Sequence, residues 1–255
     1  MNRDEIKNYT DMAVYLKEKA YEATRLYHYT TYESLLNIID SKSFRLSKIN
    51  LLNDKKEMDF GNNKEYFILS LTGNKEYISM WSMYGKPSGI KIRIDFPKKP
   101  LKKCLEKSNI YEDSELRISY FNKTAPLLTI DKRFDVEDCT LCSVAYLDKD
   151  KKSFKYNGKE FSDIAVTDNS LDYMSGFIKY DCWEFEKEIR VRVKAIANSK
   201  NDYVYIKLSD ELLEGIAVTF NPWMPDKFKK MIRDNLDKKK IMCCDSSYDG
   251  QINEM

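Results

Sequence analysis

The chain has 255 residues, 42% hydrophobic and 33% charged, enough for one large globular domain with a substantial core. Lys+Arg of 43 against Asp+Glu of 41 leaves a formal charge of +2, so composition offers no basic footprint for nucleic acid. No apolar run reaches the roughly 18 residues of a membrane span.

Met1 to Lys7 are charged and lack a signal-peptide core, so a reducing, cytoplasmic setting is expected. The six cysteines are then expected as free thiols. Cys139-x-x-Cys142 and Cys243-Cys244 could supply four zinc ligands. The strand-like context of the first pair and the missing second C-x-x-C argue against a metal site. Lys227, Lys229, Lys230, Arg233 and Lys238 to Lys240 read as a solvated helix face.

In chain order, residues 4–23 carry Ile6, Tyr9, Ala13, Leu16, Ala20 and Ala23 near one helical stripe. They are expected to form a helix (residues 1–23) that packs on a main domain of residues 24–255. Leu26 to Tyr29 have the character of a short buried strand, which holds His28, the only histidine. Leu35, Leu36, Ile38 and Ile39 then mark a helix, with Thr30, Thr31 or Ser34 as cap candidates. Phe44 to Ser47 is a short strand, Asn50 to Glu57 a turn rich in Asn and Asp, and Glu65 to Leu71 a strongly apolar strand. Tyr77 to Gly85 is one or two helical turns that put Trp81 and Tyr84 on one face.

Ile90 to Phe96 alternates as a strand, residues 101–138 are mixed and polar, and Leu141 to Leu147 is a strand. Asp148 to Lys159 reads as a polar turn region and Ser170 to Tyr180 as a helix. Trp183 to Val193 alternates strictly. Phe185, Ile189, Val191 and Val193 take one face; Glu184, Glu186, Glu188, Arg190 and Arg192 take the other. Tyr203 to Leu208 is a strand, Asp210 to Glu214 a helical turn, Gly215 to Phe220 the last strand, and Pro225 to Leu236 a closing amphipathic helix.

Three acids on one strand face repel and raise one another's pKa unless something offsets them. Ion pairs with Arg190 and Arg192 would make this a solvated, charge-laced face of small energetic weight. The functional alternative is that one carboxylate stabilises a cationic transition state while another orients an acceptor. A metal-dependent nuclease is a weaker alternative, since acids on one strand seldom complete a metal site. Trp81 and Tyr84 are either core or a stacking wall beside the Gly85 to Gly89 loop. There is no glycine-rich phosphate cradle, no Walker lysine and no nucleophile elbow.

Tyr27-His28-Tyr29-Thr30, Leu52-Asn53-Asp54-x-x-Glu57, Met80-Trp81-Ser82-x-Tyr84 with Gly89-Ile90, and Lys179-x-x-x-Trp183-x-x-Glu186-x-Glu188-x-Arg190 occur in that order. This resembles a bacterial family long labelled a domain of unknown function and placed, by likeness of motifs, in the ADP-ribosyltransferase superfamily. The resemblance spans roughly residues 25–235. It implies an α+β fold, an ADP-ribosyltransferase-like twisted split β-sheet with flanking helices and a central NAD cleft.

It also implies site roles. His28, with Tyr29 and Thr30 beside it, would hold the ribose end of NAD; Ser70 would match a middle-strand serine. Tyr84, or Trp81 in its place, would stack on nicotinamide, and Arg190 would join the cofactor site. Glu188 would be the catalytic acid and Glu186 would handle the acceptor. The expected activity is transfer of ADP-ribose from NAD to a protein or nucleic acid, with nicotinamide released and no metal needed. NAD hydrolysis is the close variant, and a non-catalytic nucleotide- or protein-binding module is the alternative. The wider superfamily suggests a toxin or phage-defence role. His28, Tyr84 and Glu188 are expected to converge on one cleft.

Overall fold

The computed structural model describes residues 6–23, 25–59, 66–73, 76–84, 91–95, 117–118, 128–130, 136–150, 153–162, 164, 174–195 and 201–251. The Gly85 to Gly89 loop and most of residues 101–138 lie outside this set, as do residues 170–173 of the expected helix.

The fold is mixed α+β. Helix α1 (Tyr9–Tyr21) starts where the Asn8 side chain accepts the Asp11 N–H at 2.9 Å. Strand β1 (Tyr27–Thr31) leads into α2 (Tyr32–Ser41), and of the three cap candidates Thr31 is the one used, accepting the Ser34 N–H at 3.1 Å. There follow β2 (Ser43–Lys48), two short 3-10 turns (Ile49–Leu51 and Lys55–Asp59), β3 (Tyr66–Thr72), α3 (Ile78–Met83) and β4 (Lys91–Asp95). Next come β5 (Arg117–Ile118), β6 (Leu128–Ile130), β7 (Val136–Ser143), β8 (Ala145–Asp148), β9 (Ser153–Tyr156), β10 (Lys159–Phe161) and β11 (Ile178–Tyr180). A 3-10 helix (Asp181–Glu186) precedes β12 (Glu188–Ala195), and β13 (Tyr203–Leu208), α4 (Asp210–Glu214), β14 (Ala217–Phe220), α5 (Asp226–Lys238) and β15 (Met242–Cys244) complete the order.

Four segments differ from their sequence reading. The 141–147 run is two strands: Val144 ends the ladder of the large sheet by donating its N–H to the Glu188 carbonyl, and Ala145 enters a second sheet. The polar stretch 148–159 holds most of a hairpin, β9–β10, closed by Asn157-Gly158 at φ 48 and 72; Asn-Gly suits this turn because both residues tolerate positive φ. Ile178–Tyr180 is a strand parallel to β8, not the end of a helix. The last strand among the described residues is β15, beyond α5, a three-residue segment whose Met242 and Cys244 are exposed.

Among the described residues the large sheet has eleven strands, and β3 is its branch point. One edge of β3 pairs with β12 from Tyr66 to Thr72. The other edge is shared: β1 meets it at Thr72, and β2 meets it at Ile68 and Phe67. The sheet therefore splits between Ile68 and Thr72. Alternation sends Leu69, Leu71, Ile189, Val191 and Val193 into the main core with Leu35 and Ile38 of α2 and Ile232 and Leu236 of α5. It sends Ser70, Thr72, Glu188, Arg190 and Arg192 to the opposite face.

That opposite face is covered by α1 and by the four-stranded sheet β10-β9-β8-β11. Tyr9, Met12, Ala13 and Leu16 of α1 pack with Phe154, Phe161, Phe177 and Ile178 in a second core. The polar face of β12 is thus buried between two layers rather than solvated. Cys139 and Cys142 lie on β7, while Cys243 and Cys244 lie on β15, with β12, β3, β1, β4 and β14 between. At about 4.8 Å per strand the two pairs are far too distant to share a metal ion.

Candidate functional site

The site is built where the chain breaks its own alternation. Residues 181–186 wind into a 3-10 helix, and Lys187 takes a left-handed conformation, φ 44 and ψ 51, before β12 begins at Glu188. Glu186 and Glu188 therefore do not meet by standing two apart on one strand face. They meet because the backbone turns between them, and both reach Lys179 on β11. Lys179 Nζ lies 2.5 Å from Glu186 Oε2 and 3.3 Å from Glu188 Oε2. Glu184 remains outside the cluster, bonded at 2.8 Å to Lys187.

Arg190 is the hub. Its Nε donates to Glu188 Oε1 at 2.8 Å and one Nη2 hydrogen to Glu188 Oε2 at 3.0 Å. Its Nη1 and Nη2 also donate to the two Glu57 oxygens at 2.5 and 2.8 Å. The fifth N–H goes to the Gly176 carbonyl at 2.8 Å. A guanidinium has five N–H donors, so all are spent inside the protein. Gly176, at φ 77, turns this carbonyl inward; a Cβ there would press to 3.2 Å from Ile68 Cδ1. The preceding Ser175 carbonyl accepts from Arg192 Nη1 at 2.5 Å, and Arg192 stacks over Phe177.

Glu57, Lys179, Glu186, Glu188 and Arg190 are each no more than 5% exposed. Burial alone would raise the Glu188 carboxyl. The Arg190 and Lys179 charges, with hydrogen bonds from Arg190 and the Ser70 hydroxyl, outweigh it and hold Glu188 at about 2. Glu186 goes the other way: burial and the Glu188 charge raise it against the pull of Lys179. Burial would lower Lys179, but the Glu188 charge and then Glu186 and Glu57 keep it raised and protonated. Tyr84 donates its hydroxyl to Glu186 Oε1, and burial together with that carboxylate's charge raises the phenol. The two adjacent carboxyls are thus pushed in opposite directions.

His28 sits at the split. Ser70 lies between the β1 and β2 contacts of β3, and its carbonyl takes a hydrogen bond from His28 Nδ1 at 2.9 Å. A carbonyl only accepts, so Nδ1 carries the proton. Burial lowers the imidazole pKa against this bond, which keeps the ring neutral with Nε2 as acceptor. Phe44 of β2 holds the ring edge-on at 5.6 Å. Ser70 thus touches both His28, through its carbonyl, and Glu188, through its hydroxyl.

A cavity of about 220 Å³ opens beside the cluster. Its inner wall includes Ser70, Tyr84, Lys179, Arg190 and Glu57; its outer wall includes Leu51, Leu52, Asn53, Asp54 and Trp183. Glu186 and Glu188 stand behind that wall, shielded by Tyr84 and Lys179. Among the residues singled out from sequence, His28, Ser70, Tyr84, Glu186, Glu188 and Arg190 form one connected network. Trp81 does not join the cavity wall: it is buried, edge-on to Tyr29 at 4.8 Å, with its Nε1 directed to Glu76. Tyr29 is core, and Thr30, partly buried on β1, is absent from the cavity wall.

The roles of Glu57, Lys179, Asp54 and Trp183 were not assigned from sequence. The signal lay in the same motifs, Asn53-Asp54-x-x-Glu57 and Lys179-x-x-x-Trp183. Nothing in their spacing announces which partner each meets.

Residues 80–191 match a family described as "Protein of unknown function (DUF2971)". The matched stretch holds Tyr84, Lys179, Glu186, Glu188 and Arg190, and leaves His28, Glu57 and Ser70 outside it. This description carries no activity and no link to ADP-ribosyltransferases. No curated protein and no solved structure matches the chain. Among the described residues no helix is long and apolar enough to cross a membrane.

Proposed function

We propose that the protein transfers ADP-ribose from NAD to a macromolecular acceptor, protein or nucleic acid, on an ADP-ribosyltransferase-like split sheet. The observation that carries this reading is Glu188, held in place by Arg190, Lys179 and Ser70, behind a cavity whose wall includes Ser70, Lys179 and Arg190. Cleavage breaks the bond between ribose C1′ and the pyridinium nitrogen. The bond pair leaves with nicotinamide, which becomes neutral, and positive charge develops on the ribose, as in glycoside cleavage. A fixed negative charge lowers that barrier more than it stabilises the ground state. The acceptor then bonds to C1′ and gives its proton to Glu186, a step that requires Tyr84 or Lys179 to release one of its oxygens. His28 is absent from the cavity wall and reaches it only through Ser70, whose carbonyl it bonds, so a ribose-binding role for it depends on that contact. Water can attack C1′ without Glu186, giving its proton to solvent, and NAD is then hydrolysed.

One arrangement favours a second reading, a non-catalytic nucleotide-binding module. Every Arg190 N–H is spent, and Tyr84 and Lys179 screen both glutamates, as in a purely structural strut. Incubation with NAD labelled in the adenosine moiety, plus cell lysate, separates the readings. Nicotinamide release with label in the protein, RNA or DNA fraction supports transfer, and release without labelling supports hydrolysis. Binding of NAD with no release overturns both enzymatic forms.

A further inference from the structure

We infer that the outward face of β2 and β13 is a docking strip for a single-stranded nucleic acid and leads it to the cavity beside Glu188. Arg45 and Tyr203 form its centre. In making the acceptor a nucleic acid the strip rests on the transfer reading; as a binding surface it requires no catalysis.

The backbone builds the strip. Alternation sends Phe44, Leu46, Val204, Ile206 and Leu208 into the main core. It sends Arg45 and Ser47 of β2, with Tyr203, Tyr205 and Lys207 of β13, to the other face. Ser47 pairs with Ile68 of β3, two residues from Ser70, so this is the face that carries Glu188 and Arg190. Over β3 and β12 that face is buried beneath α1 and the small sheet. Over β2 and β13 it is open: Arg45, Tyr203 and Lys207 are exposed and Tyr205 is half-buried. Ser47 also lines the cavity, so the open strip runs into the cavity wall.

The chemistry of the strip suits unpaired bases on a phosphate backbone. The Arg45 guanidinium lies 4.4 Å from the centroid of the Tyr203 ring, and Tyr205 stands opposite Arg45 in the ladder. Guanidinium planes and aromatic rings both stack on bases. Tyr203 to Lys207 spans roughly 13 Å at the rise of a strand, room for the two or three bases that sheet-face aromatics stack. Neither strand has an acidic residue, while Arg45, Lys48 and Lys207 are basic. Lys55 and Lys56, next to Asp54 of the cavity wall, are exposed. The Lys55 ammonium donates to the Asn50 carbonyl at 3.4 Å, and that of Lys56 lies 5.5 Å over the Tyr180 ring. Among the described residues none of Arg45, Lys55 and Lys56 meets a carboxylate. The whole chain carries only +2, so the attraction is local to this rim. Cations alone would suit an acidic polypeptide; cations interleaved with stacking planes on an open sheet suit a single strand.

Fluorescence anisotropy of the full chain with a labelled mixed-sequence single strand of about 12 nucleotides, as RNA and separately as DNA, tests this. At least one is expected to bind at low salt and to weaken steeply as salt rises, and the tighter of the two identifies the source. Tyr203→Ala is expected to weaken binding about tenfold and Tyr203→Phe less than about twofold, since a ring remains. Arg45→Ala is expected to weaken it about fivefold and to reduce the salt slope by about 0.7. Unfolding midpoints of these exposed-site variants confirm that the fold is kept. Binding of neither strand overturns the inference, as does binding that Tyr203→Ala and Arg45→Ala leave unchanged. Equal affinity for a duplex of the same sequence also overturns it. Competition by polyglutamate as strong as by unlabelled strand overturns it in favour of an acidic protein. Strand binding without nicotinamide release sinks the transfer reading and leaves the strip standing. Nicotinamide release with label only in protein, and no strand bound, sinks the strip and leaves transfer standing.

Discussion

Glu57 and Arg190 are 133 positions apart in sequence and are joined side by side by two hydrogen bonds, between side chains each 1% exposed. The pair fastens the loop before β3 to the strand that carries Glu188. It takes two of the five guanidinium N–H groups, while the others grip Glu188 and the Gly176 carbonyl.

Breaking this pair should be costly. Glu57→Ala leaves a buried guanidinium partly uncompensated, and the expected loss is about 3–5 kcal/mol. Urea denaturation measures it. A loss under about 1 kcal/mol, the scale of exposed ion pairs, would mean that the contact is not formed as described.

The Glu188 carboxyl makes stability depend on acid. Its folded pKa, about 2, lies below its ordinary value of 4.5, so it contributes stability above 4.5 that disappears as pH falls toward 2. The contribution is on the order of 3 kcal/mol. Glu186 acts in the opposite sense. Its raised carboxyl binds a proton more tightly when folded, so its contribution is present at low pH and lost as pH rises through its folded pKa. The stability gap between wild type and Glu188→Gln should therefore close between pH 5 and 2 as denaturation midpoints are followed downward. A gap that stays constant over this range would contradict the assignment.

Replacing Glu188 by glutamine should remove nicotinamide release while NAD still binds. The amide keeps the shape but not the charge that opposes an oxocarbenium, so the loss should fall on kcat by about a hundredfold or more. Glu186→Gln should reduce acceptor labelling more than hydrolysis, because water can attack without a base held at that position. Nicotinamide release and labelling measured side by side test both. Full release by Glu188→Gln would move the catalytic role to Glu186.

His28→Phe keeps the ring against Phe44 but leaves the Ser70 carbonyl without its donor at the sheet split. A stability cost of about 1–3 kcal/mol is expected, read by thermal or urea unfolding. No change would show that water or a shifted backbone satisfies that carbonyl equally well.

The sequence by itself determined much of the layer that needs only local information. The apolar positions of β3, β12 and α2 are legible because a strand or helix half-buried in a core must repeat its apolar residues with its own period. Residues that form the buried network could be picked out too, His28, Ser70, Tyr84, Glu186, Glu188 and Arg190. What only the tertiary structure decided is how they meet. Alternation continued through Trp183 to Glu188 on paper, but a 3-10 helix and a left-handed Lys187 interrupt it, and Glu186 meets Lys179 and Tyr84. A face that looked solvated is buried, since α1 and the small sheet cover it. Glu57 from one segment, and Gly176 and Lys179 from another, complete Arg190 and Glu188. Such pairings depend on register and on which layers pack together, and charge satisfaction across distant segments leaves no period in the sequence to read.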